Sequence, residues 1–291
     1  MHEMLNQPWG VEVEMYHISR SRAARVLAAS LSRQTGVPWW ANYRGGTYDA
    51  YDVRKDGDPP HRVWLLERDS SIIASEDCKT ELVTPILSWD EMPLLQQALR
   101  DLRKAGARSD PEHRCGIHVH VSGDGHTVGS LCNLVNIMAS HEQLLISALN
   151  LDHDRVRDYA RTVNVGFLQA VNQNKPRSLS ELSTKWYECQ GGLVGCSRHY
   201  HSSRYHMLNL HSFFTGKGLE FRLFQFDSYR PDAPKGQRGG IHAGQLKAYV
   251  QLCLALSYRA KVTRSASYKA LETVFGRTPA LSPSTCRTRV Q

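Results

Sequence analysis

Cysteine is scarce here and never arranged for cross-linking or metal capture. The seven thiols, Cys78, Cys115, Cys132, Cys189, Cys196, Cys253 and Cys286, are odd in number, scattered, and nowhere spaced C-x-x-C. That argues against a disulfide framework or a structural zinc site, and reduced thiols serving mainly in packing are expected. Long apolar runs are missing as well. No stretch approaches the ~18 residues needed to span a bilayer, and the opening MHEMLNQPWG lacks the cationic start and apolar core of a secretory signal. A cytoplasmic protein with no membrane partner is therefore expected. Internal repeats, low-complexity tracts and long linkers are absent. So are G-x-x-x-x-G-K-[S/T], G-x-S-x-G, H-E-x-x-H and G-x-G-x-x-G, which removes local support for P-loop, serine-hydrolase, zincin and Rossmann chemistry.

What is present is an ordinary globular balance: 41% hydrophobic and 22% charged residues over 291 positions, enough to bury a substantial core. The net charge of +8 favours an anionic partner, whether nucleic acid, a nucleotide or an acidic substrate. The basic residues are spread along the chain without a run of five or six and without a zinc finger or RNP1 sequence. Nucleic acid is accordingly the lesser reading.

Periodicity predicts alternating strands and helices in one domain. GVEVEMYHI (10–18) alternates, with Val11, Val13 and Met15 on one face and Glu12, Glu14 and Tyr16 on the other. Ser19 or Ser21 then caps a helix through Ala24, Leu27, Ala28 and Leu31, stopped by Gly36 and Pro38. TYDAYDVR and RVWLLERD flank a turn-rich KDGDPPH and read as antiparallel neighbours. ELVTPIL is a brief strand. Ser88 and Glu91 form a capping box ahead of a helix through Leu95, Leu99 and Leu102. CGIHVHVS is the next strand, a long helix covers about 126–150, and 154–172 continues in helical style. YHMLNLHSFF and GLEFRLFQF alternate as strands, and a last helix spans roughly Ala243 to Arg259.

Three strands carry paired polar residues between apolar neighbours: Glu12 and Glu14, His118 and His120, Glu220 and Arg222. Side chains two apart share a face, ~6 to 7 Å apart along the strand, a spacing that suits ligands of a cation cluster. Any one pair is explained by an antiparallel sheet with one wet face. The residue types weigh the other way: solvated faces favour Thr, Ser, Lys and mixed charge, whereas carboxylates and imidazoles bind divalent cations and a guanidinium favours phosphate. Elsewhere, Gly191, Gly192, Arg198 and His199 read either as a charged lid or as a basic surface loop. Trp39 and Trp40 read either as a stacking platform or as core closure, and Lys235 and Arg238 as exposed loop residues or contacts to an acidic substrate.

The ordered set GVEVE, ELVTP, CGIHVHV, RYHMLNL and LEFRLF, running from Gly10 to Phe226, resembles the amidoligase family, a compact branch of the glutamine synthetase superfamily. The resemblance implies an α+β fold with a curved antiparallel sheet backed by helices and an active site on its concave polar face. It implies that Glu12, Glu14, Glu81, His118 and Glu220 ligate Mg²⁺ or Mn²⁺. His120, Arg204, Asn209 and Arg222 would face ATP, with Arg222, Arg204 and Glu220 acting at the transferring phosphate. Asp69 lies in the element preceding Glu81; Glu76 and Asp77 compete with Glu81 as the third acidic ligand but look like turn residues. The implied activity joins a carboxylate substrate to an amine acceptor through an acyl-phosphate at a di- or tri-metal site. The chain lacks the length for the separate small N-terminal domain of full-length glutamine synthetases, so one catalytic domain over 1–276 and a loose tail over 277–291 are expected. Three other readings stay open: a phosphotransferase on the same scaffold, a zinc hydrolase using His118, His120 and a glutamate, and a non-enzymatic nucleic-acid binder.

Overall fold

Alternating apolar and acidic side chains make a strand with one greasy and one charged face, and this strand, Trp9–Met15, lies in the interior of the sheet. The computed structural model describes residues 2–59, 61–198, 200–234 and 238–266. In chain order the elements are α1 (His2–Leu5), β1 (Trp9–Met15), α2 (Arg20–Thr35), β2 (Trp40–Gly45), β3 (Ala50–Arg54), β4 (Trp64–Glu67) and β5 (Thr80–Val83). There follow α3 (Met92–Lys104), β6 (Ile117–Val121), α4 (Val128–Ala148), α5 (His153–Asp158), α6 (Val165–Gln173) and α7 (Leu179–Glu188). The last are β7 (Leu208–Asn209), α8 (Leu210–Phe214), β8 (Leu219–Phe224) and α9 (Ala243–Val262), with short 3-10 turns between some of them.

The strands form one eight-stranded sheet in the order β2-β3-β4-β5-β1-β6-β8-β7, antiparallel throughout. Val11, Val13 and Met15 of β1, Val119 of β6 and Phe221 of β8 share a buried core with Leu27 and Leu31 of α2, Leu95 and Leu99 of α3, and Leu246 and Val250 of α9. Helix α2 lies against β3 and β4, and α9 against β6. The architecture is thus α+β, a single large antiparallel sheet backed by helices.

Local signals mostly hold. Ser19 caps α2 by accepting from Arg22 N, and Gly36 ends it in the left-handed conformation, where a residue without Cβ is favoured. The capping box of Ser88 and Glu91 is formed. Three stretches differ from expectation. YHMLNLHSFF keeps only two residues as strand, because the Asn209 side chain accepts from Ser212 N and starts α8 there. The stretch 154–172 breaks into α5 and α6, with Asn164 capping the second. Trp40 opens the edge strand β2 and is 54% exposed rather than closing the core, whereas Trp39 is half-buried and donates its indole N–H to Thr35. The expected tail 277–291 lies outside the described residues, as do His199 and Lys235.

Candidate active site

Strand register decides which polar side chains meet. Glu12 of β1 pairs with His118 of β6, while Glu14 pairs with Glu81 of β5, which in turn pairs with Glu67 of β4. On the other flank His120 pairs with Glu220 of β8, and Glu220 with Asn209 of β7. A register shift in the β6–β8 ladder between Ile117 and Val119 gives β8 an extra residue around His118, and the side chains of both Glu220 and Arg222 line the same cleft as His118. The result is a cleft of about 600 Å³ whose lining includes Glu12, Glu14, Glu81, His118, His120, Arg204, Asn209, Glu220 and Arg222. All nine residues that the sequence pointed to are therefore brought together. Glu76 and Asp77 sit apart in an exposed 3-10 turn, where Glu76 meets Lys79 and Arg68.

Glu12 is held by both imidazoles: His118 Nδ1 lies 2.6 Å from Oε2 and His120 Nε2 lies 3.1 Å from Oε1. His118 also comes within 3.8 Å of a carboxylate oxygen of Glu14 and of one of Glu220. Glu14 accepts from the Gly116 N–H at 2.6 Å, and Glu220 accepts from Asn209 Nδ2 at 2.6 Å and from Arg222 Nη1. Asn209 thus serves two ends at once, capping α8 and fixing Glu220. Arg204 lies over the rings of Tyr200 and Tyr205, and Arg222 over Tyr205.

Glu14, His118, Glu220 and Arg222 are each no more than 6% exposed, so their charges must be balanced locally. Burial raises Glu14 to about 7, helped by the nearby charge of Asp69. Glu81 is pushed well above the carboxylate range by burial and then by Glu12, Glu14, Asp69 and Glu67. Burial works against ionisation of Glu12 and Glu220 too, but His120 and His118 hold Glu12 well below the usual range, and Arg222 with His120 brings Glu220 to about 2. His118 falls to about 4 through burial and then Arg222; His120 rises because Glu12 outweighs its burial.

These side chains form three groups whose potential ligand atoms lie within 4.8 Å of one another: Glu12, Glu81 and His118; Glu12, His120 and Glu220; Glu14, Asp69 and Glu81. The groups overlap at Glu12 and Glu81. Carboxylate oxygens, joined by one imidazole in two of the three groups, suit a hard or borderline divalent cation such as Mg²⁺ or Mn²⁺. Glu14 and Glu81, raised by burial and by neighbouring acids, are what such a cation would relieve. Among the described residues no group contains both histidines, which leaves the zinc reading without its ligand set.

Sequence reasoning missed several lining residues: Glu67, Arg68, Arg114, Arg155, Tyr159 and Lys217. Asp69 was noted without a role. They come from four separate segments and none belongs to an alternating polar pair; only the fold gathers them.

The family described as "Putative amidoligase enzyme" matches residues 5–257, and the chain belongs to it. The description is that of a ligase-type enzyme, in keeping with an acid- and imidazole-lined cleft that has arginines on its wall. No curated protein matches the chain. Among the described residues no helix is long and apolar enough to cross a membrane.

Proposed function

We propose that this chain is an ATP-dependent carboxylate–amine ligase of the glutamine synthetase type, working through an acyl-phosphate with two or three Mg²⁺ or Mn²⁺ ions. The observation that carries the reading is the overlap of three cation-sized ligand groups on one sheet face, beside a guanidinium already oriented by Glu220. Glu12, Glu14, Glu81, His118 and Glu220 would hold the cations, and Asp69 joins them. His120, Arg204, Asn209 and Arg222 would face the nucleotide.

Bound there, the cations would screen the triphosphate so that a carboxylate can attack its γ-phosphorus, the resulting acyl-phosphate then being opened by an amine to give amide and phosphate. The chain's own part is positional and electrostatic. Arg222, locked by Glu220, presents its planar fork toward the cleft, and Arg204 is steadied by two tyrosine rings. Asn209 donates to Glu220 and keeps it aimed. A recess of about 660 Å³ with apolar walls from Ile86 and Phe213 adjoins the cleft through Glu12, His120, Val83 and Lys217, and is the side on which the nucleoside would rest.

The test is ADP release across pairs of carboxylates and amines, followed by mass analysis of the product. An amide with ADP supports the ligase. A phosphorylated carboxylate that no amine consumes would instead mark a phosphotransferase. Salt-dependent DNA binding with no ATP turnover would favour the nucleic-acid reading.

A further inference from the structure

Arg155 is 7% exposed, yet it makes no ion pair within 4 Å of any carboxylate among the described residues. Its Nη2 donates to the Arg222 carbonyl at 2.6 Å, its Nε has no partner, and burial lowers its pKa to about 10 against the pull of Glu14. The side chain lies so close to the backbone at Gly116 that a Cβ there would sit 1.9 Å from Nη1. A buried guanidinium with no carboxylate at ion-pair distance is costly unless an anion joins it.

Its position says which anion. Arg155, with Arg114 and Tyr159, lines both the main cleft and a second cavity of about 540 Å³ bounded by residues from the segments 111–115, 150–154 and 225–228. The walls of this second cavity are acidic. Asp154 and Asp158 share Arg157 as an ion-pair partner, and Asp152 is occupied as the cap of α5. Glu112 and Asp227 also line it and are exposed, and neither makes an ion pair among the described residues. The junction therefore offers cationic donors toward the cleft, and the chamber behind it offers carboxylates.

We propose that the second cavity is the subsite of the amine acceptor and that the acceptor is a basic amino acid. Its α-carboxylate pairs with Arg155 and the exposed Arg114 at the junction. Its α-amine, one carbon away, is thereby set at the edge of the cleft, and its cationic side chain extends between Glu112 and Asp227. In the reaction the neutral amine nitrogen bonds to the acyl carbon, the bond from that carbon to the phosphate oxygen breaks with its electron pair leaving on phosphate, and the amine gives up one proton to solvent. This rests on the ligase reading for the identity of the reaction, but the binding it requires does not need turnover.

Calorimetry on the full chain without nucleotide separates the two. L-lysine is expected to bind, L-norleucine, which lacks the side-chain charge, about tenfold more weakly, and cadaverine, which lacks the carboxylate, more weakly still. The double variant Glu112→Gln, Asp227→Asn changes only exposed side chains and is expected to weaken lysine about fivefold while leaving norleucine unchanged. Arg155→Met is expected to weaken both by about thirtyfold or more, with circular dichroism reporting whether it folds. If it does not, the rim variant still decides. Failure of lysine to bind, or binding indifferent to the rim charges, overturns the proposal. Lysine binding without ADP release from any substrate pair would leave this subsite standing and count against the ligase reading alone.

Discussion

Glu12 meets two imidazoles, belongs to two of the three cation-sized groups, and owes its ionisation to His120 and His118. Its neighbour Glu220 sits between Asn209 and Arg222, so two different roles can be separated by substitution. As a mere ion-pair partner, Glu220 replaced by glutamine should cost little activity. As a cation ligand near the γ-phosphate it should matter far more. Glu220→Gln is expected to lower ADP release by about 10² or more, since several kcal/mol of transition-state stabilisation are involved, and to lower the melting temperature as well, because the buried Arg222 loses its ion-pair partner. An unchanged rate with unchanged Mn²⁺ dependence would remove Glu220 from the site. Away from the cleft, burial raises Glu142 to about 7 although it accepts from Val163 N. Its folded value lies above its unfolded value of 4.5, so its contribution is complete below pH 4.5 and is lost as pH rises toward 7. Glu142→Gln is expected to be stabilised relative to the parent at pH 8, by about 3 kcal/mol at most, and little at pH 5. Parallel melting curves at the two pH values would contradict that assignment.

At the scale of elements, the legible parts were those whose signal is local. β1 announces itself by alternation, α2 by Ser19 and Gly36, and α3 by its capping box, each within a dozen residues. β7 and α8 did not, because Leu208 and Leu210 alternate like a strand while the Asn209 side chain turns the backbone into a helix. β2 was overlooked because its pattern is exposed on both faces, so no apolar period marks it. The site was readable to the extent that its ligands come as i, i+2 pairs. Arg155, brought by α5 against the start of β6, has no such partner in sequence, and Gly116 is the only sign of its approach. Gly116→Ala is expected to destabilise the fold by about 2 kcal/mol or more, because the methyl must displace a buried guanidinium. Urea denaturation measures it, and a change under about 0.5 kcal/mol would mean that Arg155 is not held there.

For the whole molecule, the wall of arginines around an acidic floor explains how a chain of net charge +8 can be built around clustered carboxylates. On the proposed reading the acids would take cations and the arginines what the cations bring. A triphosphate is expected to bind here only with divalent cations, which Glu12 and Glu220, and Glu14 and Glu81 once they release their protons, would hold against its negative charge. Calorimetric titration of the protein with ATP in Mn²⁺ and in EDTA tests this most directly. Binding is expected in Mn²⁺, accompanied by proton release near pH 7 as Glu14 and Glu81 lose the protons that burial and neighbouring acids make them hold, and no measurable binding is expected in EDTA. Equal affinity in the two conditions would contradict the account.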